Sequence, residues 1–316
     1  MRHVFILNPM AGKSRAALDL QQQIDAYFST HPQLEYSMRL TECAGDATRI
    51  AAEECAKGDA VRLYACGGDG TLQETANGIP PHSAVEIAVI PCGSGNDYVR
   101  TYGGKEYFLN LPDVIEGTAI PVDAVDCGGR RSLNIASIGM DAKVCERMIR
   151  YKNLPGVGGS LAYELAILDV LCHPIGDEMT ITIETQDGPV RRQGKFLLAL
   201  AANGQYYGGG YHGAPQASED DGVLDFVLVK KISRFRILSF LNLYKAGNYE
   251  HLDCCEHLRG YSMHAVATKP TVCNVDGECT IGDSMDFTIL PASYRFVLPA
   301  TLAAKRCLTT ETVTEM

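Results

Sequence analysis

No Cys-x-x-Cys pair occurs in this 316-residue chain, although it holds 12 cysteines. The spacing that most often marks a structural zinc site or a dithiol centre is therefore missing. Cys66, Cys92, Cys145 and Cys172 sit inside apolar runs, where they read as small buried hydrophobes. Long apolar runs are missing too. The longest, Phe196–Ala202, falls far short of the roughly 20 residues that a spanning helix needs. The apolar start, Val4–Leu7, is too short for a signal peptide and ends in the Asn8-Pro9 turn. These absences point to a reduced, cytoplasmic protein. Positive charge is scarce, with 28 Lys+Arg against 38 Asp+Glu and a formal net charge of −10. That balance argues against broad electrostatic binding, so no nucleic acid partner is expected. There is no internal repeat and no low-complexity segment.

What is present suits a folded chain. Hydrophobic residues are 46% and charged residues 21%, enough to build a core, and about 150 residues per domain makes roughly two domains. Up to about residue 120, strand and helix signals alternate. Val4–Leu7, Glu35–Leu40, Ala60–Cys66 and Glu86–Pro91 read as strands. Ser14–Thr30, Ala44–Ala56 and Thr71–Asn77 read as helices. This rhythm predicts an α/β domain with a parallel sheet, binding at the carboxyl ends of its strands. Beyond it come strand signals at Ala119–Asp126, Ser132–Ser137, Met179–Thr185, Lys195–Ala202 and Val223–Val229. Helices are expected at Asp141–Arg150, Ser160–Cys172 and Phe235–Ala246. Short strand candidates fill Tyr261–Leu298, punctuated by Lys269-Pro270 and Asp276-Gly277. The pattern predicts a second, mainly antiparallel domain. Thr309–Met316 is polar and reads as a fraying tail.

Gly67-Gly68-Asp69-Gly70-Thr71 follows a buried strand and opens a helix. Its glycines let the backbone approach a phosphate, the helix adds a positive end, and Asp69 can hold hydrated Mg²⁺. Gly93-Ser94-Gly95-Asn96-Asp97 repeats the logic one unit later. Asn96 and Asp97 can cap a helix or contact a nucleotide. Two such loops at successive strand ends suggest one nucleotide straddling both. Asn8 to Ser14 imitates a P-loop, but Leu7 stands where its first glycine belongs. Asn8 and Lys13 still fall at the same sheet edge, where Lys13 reads equally as a phosphate contact or a solvated lysine. Gly208 to Gly213 satisfies G-x-G-x-x-G, yet Ala214-Pro215 follows instead of a helix, so it is no dinucleotide fingerprint.

Four further features carry candidate chemistry, three of them with two readings. Ser218-Glu219-Asp220-Asp221 is a hard-cation site or a solvated acidic turn. Asp276-Gly277 is a hairpin turn or the seat of a general base. His251, Cys254, Cys255 and His257 lie close in sequence, but no second cysteine pair completes a zinc site. Val229–Asn248 carries Lys230, Lys231, Arg234, Arg236 and Lys245 and no acid, with Ile232, Phe235, Leu238 and Leu241 at three-residue spacing. It is either a contact for an anionic membrane or a helix packed on the core.

Taken together, the motifs resemble the bacterial diacylglycerol kinase-like lipid kinase family, related to sphingosine kinases and more distantly to NAD kinases. The anchors run over nearly the whole chain: Asn8-Pro9, Gly67–Thr71, Gly93–Asp97, and Asn134 with Gly139-Met140-Asp141-Ala142. They continue with Gly208-Gly209-Gly210 through Pro215 and Ala217 to Asp221–Asp225, then Asp276-Gly277-Glu278. The first glycine loop is shared with NAD kinases and phosphofructokinases, whereas the later anchors are specific to the lipid kinase branch. Ser94 keeps the hydroxyl of the family's usual Thr. Ala11 replaces a common Ser and removes one phosphate contact.

The resemblance implies a first domain, residues 1–123 joined by 294–316, and a β-sandwich-like second domain, 124–293, with ATP in the cleft between. A C-terminal strand, roughly Tyr294–Leu308, would return to the first domain. Asn8, Lys13, Gly67, Gly68, Gly70, Thr71, Gly93, Ser94, Asn96 and Asp97 would bind the nucleotide. By resemblance Asp276 is the general base, Glu278 supports it, and Asp69 organises Mg²⁺ at the phosphates. Asp221 would bind a structural Mg²⁺ with the carbonyls of Ser218 and Val223. The implied function is ATP-dependent phosphorylation of a lipid alcohol, diacylglycerol first, by a peripheral enzyme at the inner membrane face. A homodimer is an allowed assembly. NAD kinase activity is the enzymatic alternative, although no Asn-Glu dipeptide is present to grip the nucleoside. A nucleotide-binding regulator without turnover is the other, and the intact Asp69, Asp276 and Glu278 argue against it.

Overall fold

The computed structural model describes residues 1–12, 16–152, 154, 156–157 and 159–314. The chain divides into two compact units, Met1–Asp123 with Ala292–Met316, and Ala124–Pro291.

In the first unit strands and helices alternate: β1 (Arg2–Leu7), α1 (Ala16–Ser29), β2 (Glu35–Leu40), α2 (Asp46–Cys55), β3 (Val61–Gly67), α3 (Asp69–Gly78), β4 (Glu86–Pro91) and α4 (Leu111–Ile115). β1 pairs in parallel with β2 and β3, and β3 pairs with β4. Arg295 and Phe296, near the end of the chain's last strand, pair in parallel with β4. β3 and β4 are buried along their whole length, as a sheet covered on both faces requires. Phe5, Tyr64, Ile90 and Val297 pack with Ile24 and Phe28 of α1 and Val114 of α4. Leu7 pairs with Cys66, and Gly67 with Pro91. The three strands therefore end level, and their following loops leave from one sheet edge.

The chain continues with β5 (Thr118–Cys127), β6 (Arg130–Ser132), β7 (Ile135–Gly139), α5 (Met140–Lys152), α6 (Gly159–Cys172), β8 (Asp177–Thr185), β9 (Gly188–Ala202), β10 (Tyr206–Tyr207), β11 (Tyr211–His212), β12 (Leu224–Lys230), α7 (Arg234–Lys245), β13 (Cys255–Gly260), β14 (Ser262–Val275), β15 (Glu278–Leu298) and α8 (Ala300–Thr314). In the second unit pairing is antiparallel. β9 and β14 each pair with β8 over one half and with β7 over the other, so the strands fork into two arms. The apolar run Phe196–Ala202 is the half of β9 flanked by both β7 and β12, and it is buried throughout. Residues 188–195 of the same strand alternate between half-buried and exposed.

Several expectations change. Ser132–Ser137 is two strands, broken at Leu133-Asn134. Tyr261–Leu298 forms two long strands, with Lys269-Pro270 inside β14 where its register shifts between Val266 and Thr271. Proline fits there because it has no N–H to donate to a ladder. The final strand stops at Leu298, and the polar end, read as fraying, is helix α8 through Thr314. All twelve cysteines are free. Cys66 is buried, but Cys92 and Cys145 are partly exposed, and Cys172, the last residue of α6, is exposed. Among the described residues no helix is long and apolar enough to cross a membrane.

Candidate functional site

In the first unit, three strand ends converge on one set of contacts. The Asn8 side chain, just past β1, donates to the Thr71 hydroxyl of α3 at 3.1 Å. The N–H groups of Cys92 and Gly93, past β4, donate to the Gly67 carbonyl at 2.8 and 3.2 Å. A Cβ on Gly93 would stand 2.5 Å from the Gly68 Cα. Only glycine lets the two loops touch there. The Asp69 Oδ1 accepts the N–H groups of Asp97 and Tyr98 at 2.7 and 3.3 Å. Asn96 adopts a left-handed φ of 49°, and its side chain donates to the Gly93 carbonyl at 2.6 Å. Ser94 is exposed at the tip of the loop. Gly70 is exposed in the first turn of α3, where the N–H groups of Thr71 and Leu72 donate to the Gly68 carbonyl at 3.0 and 3.2 Å.

The electrostatics of these loops are frustrated. Burial, and then the neighbouring Asp97 charge, push the Asp69 carboxyl up to about 6, against the pull of the backbone N–H groups. Arg100 Nε lies 3.1 Å from Asp97 Oδ1, and its guanidinium also donates to the Gly95 carbonyl at 3.3 Å. Arg100, at the end of the short helix Tyr98–Arg100 that Asp97 precedes, is a contact of these loops that sequence reading missed; its three-residue spacing from Asp97 is the available signal. Lys13 lies outside the described residues.

In the second unit, Val275 pairs with Glu278, so Asp276 and Gly277 form a two-residue hairpin turn. Both are left-handed, with φ of 48° and 97°, the combination that matches the twist of a tight hairpin. Asp276 is thus a turn residue, and its side chain makes a contact of its own. Its Oδ1 accepts the Ile135 N–H at 3.3 Å, and its own N–H donates to the Ile135 carbonyl at 3.4 Å. Asn274 Oδ1 accepts the Gly277 N–H at 2.8 Å. Glu278 pairs with Arg130 at 3.6 Å, a partner the sequence did not suggest. Asn134, one residue before Ile135, donates to the Tyr206 carbonyl at 2.7 Å. Asp141, at the start of α5, has both oxygens buried. Burial pushes its carboxyl up to about 6, against the pull of the Ser137 and Tyr207 hydroxyls.

The glycine run Gly208–Gly210 has three positive φ values and closes the β10–β11 hairpin, so it is a turn. Asp221 Oδ1 accepts the Val223 N–H at 3.2 Å, and its other oxygen pairs with Arg259. Arg259 also lies 3.7 Å from Asp225, which bonds His257 at 2.5 Å. The Ser218 hydroxyl donates to Asp220 at 3.0 Å.

A family model described as the diacylglycerol kinase catalytic domain matches residues 2–127. A second, the YegS C-terminal NAD kinase beta sandwich-like domain, matches residues 134–298. The chain belongs to the diacylglycerol kinase-like lipid kinase family. A Bacillus subtilis protein named diacylglycerol kinase is 30% identical over 276 residues, covering 86% of this chain and 88% of its own. A Pseudomonas aeruginosa protein named "Probable lipid kinase YegS-like" is 31% identical over 268 residues, covering 84% and 85%. The crystal structure of a diacylglycerol kinase from Bacillus anthracis superimposes with a TM-score of 0.67 at 22% identity, covering 95% of this chain and 98% of that one. It shares the fold.

Members of this lipid kinase family imply a nucleotide and Mg²⁺, with two candidate metal positions. At the glycine loops, Asp69 and Asp97 repel each other, and a divalent cation would offset that repulsion. The donor set there fits. At Asp221 the Arg259 guanidinium engages the carboxylate, as Arg100 engages Asp97, so a Mg²⁺ on Asp221, Ser218 and Val223 would share the turn with that positive charge. Among the described residues no group of three His, Cys, Asp or Glu side chains is arranged to hold a metal.

Proposed function

We propose that this protein is an ATP-dependent lipid kinase that transfers the γ-phosphate to a lipid alcohol, with diacylglycerol as substrate and phosphatidic acid as product. The observation that carries the reading is the contact between the Gly67–Thr71 and Gly93–Asp97 loops at the ends of β3 and β4. Two glycine loops abutting above the N-terminus of α3 make a cradle of backbone N–H groups suited to a polyphosphate. Asn8 buttresses it through Thr71. Asp69 and Asp97 would hold the Mg²⁺. When bound, that ion spreads the charge that develops on the phosphoryl oxygens.

Phosphoryl transfer is mostly positioning and charge neutralisation, so the acceptor needs one group that takes its proton. Asp276 takes that role. Its turn and the Ile135 N–H fix its orientation, and a placed carboxylate base contributes about 10²–10⁴-fold. Arg130 tethers Glu278 beside it.

A diacylglycerol substrate resides in a membrane, and α7 supports peripheral contact with an anionic surface. Phe235 is 91% and Leu238 58% exposed. They stand among Lys230, Lys231, Arg234 and Arg236. Such a helix edge suits shallow insertion among anionic headgroups.

The test is incubation of the purified protein with labelled ATP, Mg²⁺, NAD and a bacterial lipid extract, followed by identification of the labelled product. Labelled phosphatidic acid is expected. Label in NADP, or in no lipid, would overturn the reading.

A further inference from the structure

Two thiols flank the turn that carries Asp276. Cys145, in the second turn of α5, donates from Sγ to the Gly277 carbonyl at 3.5 Å. Cys279, one residue beyond Glu278 on β15, donates from Sγ to the Ala142 carbonyl of α5 at 3.7 Å. The two contacts cross, each sulfur reaching the backbone of the other's element. The neighbouring Cys279 side chain pulls the Cys145 thiol below its ordinary pKa, and Cys145 pushes Cys279 up. Both are partly exposed.

The other cysteines are poorer candidates. Cys66 and Cys273 are buried, and burial pushes their thiols up. Cys254 and Cys255 are adjacent, with sulfurs 3.9 Å apart, and burial first, then Cys254, pushes Cys255 up to about 12. Among cysteines with a displaced pKa, Cys145 alone moves toward the thiolate, the form that attacks oxidants.

We propose that Cys145 and Cys279 are an oxidisable pair that closes to a disulfide and, by tying α5 to the Asp276 turn, switches phosphoryl transfer off. The oxidant is a peroxide. The Cys145 thiolate attacks the O–O bond; one oxygen leaves as hydroxide and is protonated to water, and Cys145 becomes a sulfenic acid. The Cys279 thiol then attacks that sulfur. An S–S bond forms, the S–OH bond breaks, and a second water leaves. Two thiols thus give up two electrons and two protons, and one peroxide becomes two waters. A dithiol reductant reverses the change.

The turn has little slack to absorb it. It holds two residues, both left-handed, and the Ile135 N–H bonds the Asp276 carboxylate. Closing the sulfurs to about 2.0 Å removes the Cys145 bond to Gly277 and draws β15 toward α5. A displacement of about 1 Å at a reacting group costs on the order of 100-fold in rate.

The switching clause rests on the lipid kinase reading; the chemistry of the pair does not. The experiment treats the reduced full-length protein with stoichiometric hydrogen peroxide, alkylates the remaining thiols, and maps linked peptides by mass spectrometry beside a kinase assay. A Cys145–Cys279 peptide should dominate, activity should fall at least tenfold, and dithiothreitol should restore it. Cys145→Ser and Cys279→Ala should keep their activity under the same peroxide. Inactivation without this linked peptide, or linkage with activity unchanged, would overturn the proposal. If the reduced protein phosphorylates no lipid, the lipid kinase reading fails and the switch with it, while the peptide map still reports on the thiol pair.

Discussion

The Asp69 carboxylate accepts the backbone N–H of Asp97 at 2.7 Å, joining the loop after β3 to the loop after β4. One carboxylate thus organises two glycine loops, and it does so while repelled by the side chain of the residue whose amide it holds. The two loops touch at Gly68 and Gly93. Gly93→Ala puts a Cβ 2.5 Å from the Gly68 Cα, so one loop must move. ATP affinity measured by calorimetry should weaken by about tenfold or more, since amides must stay within hydrogen-bond reach of the phosphates. Unchanged affinity would separate these loops from the nucleotide.

Asp141 sets a pH dependence of stability. Its folded-state carboxyl is pushed up to about 6 by burial, against an ordinary value of 3.8. Between those values the folded protein holds a proton that the unfolded chain has released, so this group's contribution to stability falls as pH rises. Above the window the buried charge costs up to about 3 kcal/mol. Asp141→Asn should flatten that decline in denaturant titrations across roughly pH 4 to 6. A variant with the parent's slope would contradict it.

If the Arg259–Asp221 pair holds this turn without a cation, chelation should not matter to it. EDTA should leave the melting temperature of the nucleotide-free protein unchanged. Arg259→Ala should lower it by about 2–4 °C, the shift for roughly 1 kcal/mol at this domain size, and millimolar Mg²⁺ should recover part of the loss. A parent protein that is itself destabilised by EDTA would restore a metal to Asp221.

The α7 edge predicts a separation of binding from chemistry. Reversing Lys230, Lys231, Arg234 and Arg236 to Glu should weaken binding to phosphatidylglycerol vesicles by about 100-fold or more, at about 1 kcal/mol per basic residue. Turnover of diacylglycerol in neutral detergent should persist. Vesicle binding that survives the reversal would move the membrane contact elsewhere.

The parallel half was the most legible part of the chain. Glu86–Pro91 was read with the bounds of β4, because a buried parallel strand is a continuous apolar run closed by a loop. The second unit was harder, since two apolar stripes compete on α7. Phe235 and Leu238 share the three-residue spacing that was noticed, yet Ile237, Phe240 and Tyr244 face the core. Periodicity marks a stripe, and only tertiary packing chooses between two. The candidate carboxylates were visible through their glycine neighbours. Their partners were not. Arg259 reaches Asp221 because β13 places it opposite Asp225 on β12, and Arg130 meets Glu278 across strands remote in sequence. Such pairings depend on strand register, which no local motif carries.

In the proposed reaction Asp276 takes the proton of a lipid hydroxyl during phosphoryl transfer. The most direct test of that role is the turnover of labelled ATP with diacylglycerol by Asp276→Asn, beside the parent protein and with ATP affinity measured on both. The amide keeps the size of the side chain and can accept the Ile135 N–H, but it cannot take a proton. kcat should fall by about 10²–10⁴-fold while ATP affinity stays within a few-fold. Phosphatidic acid formed by Asp276→Asn at the parent's rate would contradict that role.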